Sequence, residues 1–279
     1  MNKFFSFIKI IRPLNVLSSG VAILLSSFIS DYRGPLEQIL IPIFVVVFFT
    51  IGANVINDYF DHDTDKINRP DRSIVKGDIT RKQALYFSLI SFTIGVYFAF
   101  RLSYDSQIIS LGISLPLLFL YNAKIKNYPL IGNIIVSLII GLSFIYAGVV
   151  FENVKPLIVP SLLAFGLTLI REVVKDIADL KGDEKIGART LPIVIGKQKA
   201  IYFCTILSIL LSIAAFTLFL NGYYNFYYGV LLIITVEIPL GVVVISLLNK
   251  PHIETAKKAA KLLKFCTLGG LFSIYIGTL

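Results

Sequence analysis

Charged positions are rare along most of this chain, and they divide it into long apolar runs. Eight long stretches carry no Asp, Glu, Lys or Arg: 13–30, 38–57, 83–100, 106–123, 127–151, 156–170, 200–236 and 265–279. A helix of about 20 mostly apolar residues spans a bilayer, so each run predicts a crossing. The run at 200–236 is too long for one. Asn221-Gly222-Tyr223-Tyr224-Asn225 breaks it with turn formers and interfacial aromatics, and its second part continues past Glu237 to about Leu248. The pattern predicts an all-α, polytopic membrane protein with nine transmembrane helices, in a single domain over 1–279.

Composition agrees. Of 279 residues, 56% are hydrophobic and 15% charged, with a mean hydropathy of +0.81. Soluble domains carry about 25% charged residues, so a soluble enzyme, a disordered chain and a disulfide scaffold are all excluded. Cys204 and Cys266 lie in apolar runs and read as small hydrophobes. The net charge of +9 would raise nucleic acid as a partner of a soluble protein. Here the charge sits in short connections, so no nucleic-acid partner is expected.

Orientation follows from the basic residues. With the N-terminus inside, segments 1–12, 59–82, 122–127, 171–199 and 249–264 hold 23 of the 26 Lys and Arg. Positive connections stay cytoplasmic. The N-terminus is therefore expected in the cytoplasm, and the protein in the cell membrane. The first run follows Lys3, Lys9 and Arg12 as a signal peptide would, but it lacks a small-x-small cleavage site and reads as a retained helix.

Topology asks for basic inner connections, not acidic ones, yet 11 of the 17 Asp and Glu cluster in two of them or, for Asp58, at the edge of one. Asn57, Asp61 and Asp65 stand at i, i+4 and i+8, on one face of a helix leaving the second span. Asp179 and Asp183 repeat the i, i+4 spacing after the sixth. Asp58 and Asp176 add carboxylates on adjacent faces. Like charges this close repel unless a cation lies between them. Oxygen-only ligands suit Mg²⁺, which keeps room for phosphate oxygens and water. A solvated acidic loop is the plainer alternative, and recurrence of the pattern argues against it.

Asp61-x-x-x-Asp65-Lys66-Ile67 parallels Asp179-x-x-x-Asp183-Glu184-Lys185-Ile186. The two units lie four spans apart. A parallel repeat over about 36–123 and 156–248 would bring the acidic segments together around one axis. Lys66, Arg69, Arg72, Lys76, Lys181, Lys185 and Arg189 lie among the acids, with Lys124 and Lys126 beside Tyr121 and Arg12 at the mouth of the first span. Carboxylates with metal, ringed by cations, make a di- or triphosphate site. No P-loop, GxGxxG or His/Cys zinc cluster is present, and His62 and His252 read as bystanders. Glu237, mid-span before Pro239, is either a functional intramembrane acid or a hydrogen bond satisfied between helices.

Asn57-Asp58-Tyr59-Phe60-Asp61-x-x-x-Asp65 resembles the first signature of the UbiA-type intramembrane prenyltransferases. Asp176-Ile177-Ala178-Asp179-Leu180-Lys181-Gly182-Asp183 resembles the second. The resemblance covers essentially the whole chain. It implies a bundle of nine spans around a central cavity, and Mg²⁺ bridging the acidic motifs to a prenyl diphosphate. It gives catalytic and metal roles to Asp61, Asp65, Asp179 and Asp183, with Asn57 as a further ligand and Asp58 and Asp176 in support. Arg12, Arg72, Lys185 and the Tyr121 loop would hold the diphosphate. Tyr121 stands three positions before Lys124 and five before Lys126, which leaves both lysines open.

Within that family, Arg12-Pro13-Leu14-Asn15, Asp65 to Arg72 and Arg171-Glu172-x-x-Lys175-Asp176 are most similar to the archaeal ether-lipid branch. Its pattern Arg-Pro-Ile-Pro-Ser-Gly is here Arg72-Ser73-Ile74-Val75-Lys76-Gly77. The resemblance implies a geranylgeranyl diphosphate donor, a lipid-like geranylgeranylglyceryl phosphate acceptor and surrounding membrane lipid. Asn15, Lys76 and Arg189 would then face the acceptor. Prenylation of an aromatic quinone precursor is the second reading, and a cation or solute transporter the third. Transporters carry acids nearer the bilayer midplane, whereas these end helices on the inner side.

Overall fold

Every run predicted to span is a helix, and each boundary has a local cause. The computed structural model describes residues 3–279, the side chain of Asn127 excepted. The helices are α1 (Lys3–Ile11), α2 (Pro13–Ile29), α3 (Leu36–Phe60), α4 (His62–Asn68), α5 (Arg81–Ala99), α6 (Tyr104–Ala123), α7 (Ile131–Val150), α8 (Ile158–Lys185), α9 (Leu191–Ile195), α10 (Lys197–Leu220), α11 (Phe226–Asn249) and α12 (Ile253–Gly277). No strand occurs among the described residues. The fold is all-helical, as the hydropathy pattern predicts.

Among the described residues, seven helices are long and apolar enough to cross a bilayer: α3, α6, α7, α8, α10, α11 and α12. The pair α1 and α2, bent by 46° at Arg12, makes an eighth. The predicted nine falls to eight on this criterion. The difference is α5, a helix of 19 residues whose first turn carries Arg81 and Lys82. Thr80 starts α5 with a capping box: its Oγ1 accepts from the Gln83 amide, and Gln83 Oε1 accepts from the Thr80 amide.

The chain forms two compact units. One runs through Ile125 and takes in Leu142–Leu157; the other comprises Lys126–Gly141 and Ile158–Leu279.

In the first unit α3 packs along α5 and α2, and α1 lies against α3. The α3–α5 seam is built from two glycines and two phenylalanines. A Cβ on Gly52 would stand 2.9 Å from the Phe92 ring, and one on Gly95 would stand 2.5 Å from Phe49. Each ring thus fills the space left by the glycine opposite, the close packing that drives helix association in lipid. Beneath α1, Ile10 joins Val55, Ile74, Ile79 and Ala84 in a small core. The Lys9 ammonium donates to the Asp71 carbonyl at 2.8 Å, which ties α1 to the 69–79 loop.

In the second unit α8 packs on α12 and α10, and its Val173, Val174 and Ile177 are fully buried. At 28 residues, α8 is about 42 Å long at 1.5 Å per residue. It exceeds the roughly 30 Å hydrocarbon core. The span predicted to end at Ile170 therefore continues as one helix through the acidic motif. The predicted turn at 221–225 is present. Gly222 takes a φ of +72°, the left-handed region glycine tolerates, and the Asn225 side chain caps α11 through the Tyr228 amide.

Two spans carry a wide π turn before a proline. In α6 the Leu115 amide donates to the Ser110 carbonyl, five residues back, just before Pro116. In α11 the Ile238 amide donates to Ile233, just before Pro239. A proline lacks the N–H, and its ring crowds the carbonyl four residues back; the wider turn relieves that crowding. Glu237 lies in the second π turn and accepts from the Ser212 hydroxyl at 2.5 Å, so it is satisfied between helices.

Candidate active site

The first acidic motif straddles a helix break. α3 ends at Phe60, Asp61 terminates it and starts α4, and the two helices are not one continuous rod. The i to i+4 backbone bonds nevertheless run through the break. The Asp61 amide donates to the Asn57 carbonyl at 2.8 Å, Asp65 to Asp61 at 2.7 Å and Arg69 to Asp65 at 2.8 Å. The spacing of Asn57, Asp61 and Asp65 is thus kept across the break.

Asp58 is the most enclosed acid of the set, its side chain 1% exposed. Arg72 Nη1 donates to both of its oxygens, at 2.8 and 2.9 Å, and Arg12 Nη2 donates to Oδ1 at 2.5 Å. The same Arg12 nitrogen donates to Asn57 Oδ1 at 3.3 Å, and Asn57 Nδ2 donates to Asn122 Oδ1 at 3.2 Å. Asn15 joins through Asn54, which in turn donates to the Ile11 carbonyl. These bonds gather Arg12, Asn57, Asp58 and Arg72 from the predicted set, with Asp65 facing Arg72 and Asn15 tied to the Ile11 carbonyl through Asn54.

Electrostatics there are crowded. Burial, then the nearby Asp61 and Asp58, push the Asp65 carboxyl up to about 6 even though Arg72 opposes the shift. Burial and the adjacent Arg12 lower the Arg72 guanidinium from its ordinary value. Arg72 Nε stands 4.0 Å from Asp65 Oδ2, so one guanidinium faces two carboxylates.

Lys76 lies apart from this network in its bonding. It pairs with Asp71 at 2.8 Å, and both side chains are largely exposed. Tyr121 is in the last turn of α6, Lys124 caps that helix, and Lys126 is in the short turn after it.

The second motif lies on α8. Asp176 Oδ2 accepts from Asn133 Nδ2 of α7 at 2.8 Å. Asp183 is buried in the last turns, Lys185 ends the helix exposed, and Arg189 is exposed just beyond. Glu172, its side chain 6% exposed, accepts from Arg171 at 3.1 Å and Lys175 at 2.7 Å.

The expected set omitted Asn54, Asn122 and Asn133. Each is an amide inside an apolar run, which was the available signal, because a polar group in a span needs a partner.

Among the described residues, no three His, Cys, Asp or Glu side chains converge on a common point. The carboxylates of Asp61 and Asp65 are oxygen donors of the kind that suit Mg²⁺, which takes one or two carboxylates with substrate phosphates completing its shell. The raised Asp65 carboxyl beside Asp61 marks negative charge that a cation would relieve.

The chain is thus an all-helical membrane bundle with oxygen-donor carboxylates beside clustered guanidiniums. The chain belongs to the UbiA prenyltransferase family, whose model matches residues 19–266. It is 39% identical over 275 residues to the digeranylgeranylglyceryl phosphate synthase of Pyrococcus horikoshii, covering 98% of this chain and 97% of that one. A solved structure concerned with digeranylgeranylglyceryl phosphate synthase in membranes superposes with a TM-score of 0.75 at 32% identity, covering 100% of this chain and 99% of that one. A UbiA homolog from Archaeoglobus fulgidus bound to GPP and Mg²⁺ shares the fold at a TM-score of 0.58 and 14% identity, over 97% and 99% of the two chains. The protein is therefore a multi-pass membrane prenyltransferase.

Proposed function

We propose that this prenyltransferase moves a geranylgeranyl group from geranylgeranyl diphosphate to the hydroxyl of geranylgeranylglyceryl phosphate, in archaeal ether-lipid synthesis. The nearly full-length identity to the Pyrococcus horikoshii synthase carries the reading. Asp61, Asp65, Asp179 and Asp183, with Asn57, are the proposed Mg²⁺ ligands, and Asp176 and Asp58 stand beside them. When bound, Mg²⁺ neutralises charge on the leaving diphosphate.

Arg72, Arg12, Lys185 and the Tyr121 loop with Lys124 or Lys126 hold that diphosphate. Its allylic C–O bond breaks, the electron pair leaves with the diphosphate, and the apolar walls keep water from the cation that remains. The glycerol hydroxyl then forms the new C–O bond and loses its proton. Asn15 and Arg189 are the better candidates toward the acceptor phosphate, because Lys76 is already committed to Asp71. The sequence repeat over 36–123 and 156–248 supports equivalent use of both acidic motifs, and the basic asymmetry supports a site open to the cytoplasm.

The test incubates purified protein with Mg²⁺, geranylgeranyl diphosphate and either geranylgeranylglyceryl phosphate, 4-hydroxybenzoate or a naphthoate, read by mass spectrometry. Prenylation of an aromatic acid with the glycerol phosphate untouched would overturn the acceptor and leave the family standing. Cysteines at Asp78 and Lys197 should label only from the inner side of sealed vesicles, and one at Asn153 only from the outer.

A further inference from the structure

The sequence groups Asp58 with the metal ligands, but its surroundings differ from those of a ligand. A carboxylate that binds a metal must offer a lone pair toward it. Asp58 is 1% exposed, and three guanidinium hydrogen bonds already occupy its two oxygens. The donors come from far along the chain. Arg12 lies 46 residues before it, at the bend between α1 and α2, and Arg72 lies 14 residues after it. Two cations converge on this one buried carboxylate, and Arg72 also faces Asp65.

The backbone at Arg12 supports the same view. Arg12 has φ 56° and ψ 73°, a left-handed conformation that costs a non-glycine residue energy. It also precedes Pro13, which restricts it further. Strain of this kind persists only where surrounding bonds over-determine it, and here Asp58 and Asn57 supply those bonds. Arg12 Nε is buried and has no hydrogen-bond partner. A buried unpaired donor is uncommon and marks a place where a ligand acceptor fits.

We propose that Asp58 is a positioning residue that pins the Arg12 and Arg72 guanidiniums side by side, so that together they grip the diphosphate of the substrate without Asp58 touching the metal. The proposal deepens the prenyl diphosphate reading and rests on it. Two guanidiniums left to themselves repel and separate. A carboxylate shared between them holds the pair together. Asp58 thereby acts on substrate affinity through the arginines.

The experiment measures binding of inorganic pyrophosphate to purified full-length protein by calorimetry, with EDTA and with Mg²⁺, alongside steady-state kinetics. Asp58→Asn should weaken pyrophosphate binding in EDTA roughly tenfold and raise the KM for geranylgeranyl diphosphate similarly. The Mg²⁺ concentration for half-maximal activity should not move. Asp58→Glu keeps the charge and displaces the carboxylate by one methylene. It serves if Asp58→Asn does not fold, and it should give a smaller loss of the same kind. Unchanged pyrophosphate affinity in EDTA for both variants would overturn the pin. So would a several-fold rise in the Mg²⁺ requirement with Mg²⁺-free pyrophosphate binding intact, which is the mark of a metal ligand. If the wild-type protein binds no pyrophosphate even with Mg²⁺, the diphosphate reading itself fails.

Discussion

The two acidic segments carry the same spacing of carboxylates on different scaffolds. In the first, the helix breaks at Asp61, and the buried Asp58 draws its partners from 46 residues before and 14 after. In the second, Asp176, Asp179 and Asp183 ride one unbroken helix, and the buried Glu172 takes its partners from its own turn, Arg171 and Lys175. Asp58 and Asp176 align in the sequence repeat. Yet Asp58 holds two guanidiniums, while Asp176 accepts from the Asn133 amide. A repeated motif therefore repeats its carboxylates without repeating their supports. The first segment is assembled by tertiary contacts, the second by helix geometry with a tertiary contact from Asn133 to Asp176.

The comparison breaks most sharply at the ligands themselves. Asp61→Ala and Asp179→Ala should each lower turnover by roughly 1,000-fold, about 4 kcal/mol of barrier, with the fold intact. Turnover kinetics with a thermal melt on each variant checks this. If one of them keeps a tenth of wild-type activity, only one segment serves the metal.

Glu172→Gln addresses the local scaffold. It leaves Arg171 and Lys175 without their buried counter-charge, though both are about a quarter exposed and solvent softens the loss. A destabilisation of about 2 kcal/mol, or roughly 5 °C in Tm, is expected. An unchanged Tm would show that the cations find other partners.

Protonation tests the first segment more gently. The Asp65 carboxyl, raised to about 6 by burial, holds its proton below that pH in the metal-free protein. A bound proton competes with a metal. Mg²⁺ binding should therefore weaken as pH falls from about 7 to 5, and Asp65→Asn should flatten that dependence while weakening binding overall. Calorimetric titration across this range is the measurement.

The smallest effect belongs to Lys76. Its exposed pair with Asp71 is screened by solvent, so Lys76→Ala should leave Tm unchanged and the KM for the glycerol phosphate within about twofold. A larger rise in that KM would return Lys76 to the acceptor site.

What the sequence made legible is what depends on near neighbours. Spans appear as apolar runs, the turn at 221–225 as Asn and Gly, and the carboxylates as an i, i+4 repeat. The supports were hidden because they join distant positions: Arg12 to Asp58, Asn57 to Asn122 and Asn133 to Asp176 lie 46, 65 and 43 residues apart. Asn54, Asn122 and Asn133 stand inside runs that were read only for what they lack, namely charge. The inner segment 1–12 concealed α1, whose apolar side closes on Ile74 and Ile79 in a loop that hydropathy reads as solvent-facing.

The π turns in α6 and α11 also set direction. A π turn is one extra residue inserted into a helix, and one residue of an α-helix subtends about 100° of azimuth. The halves of α6 on either side of Ser114 are out of phase by that angle. Tyr121 consequently points where a residue one place away would point in a straight helix. Deleting one residue from Ile108–Ser114 would heal the helix and turn Tyr121 and Lys124 off their bearing while leaving their chemistry untouched. Pro116, by keeping the turn open, acts as the compass of the segment that follows it.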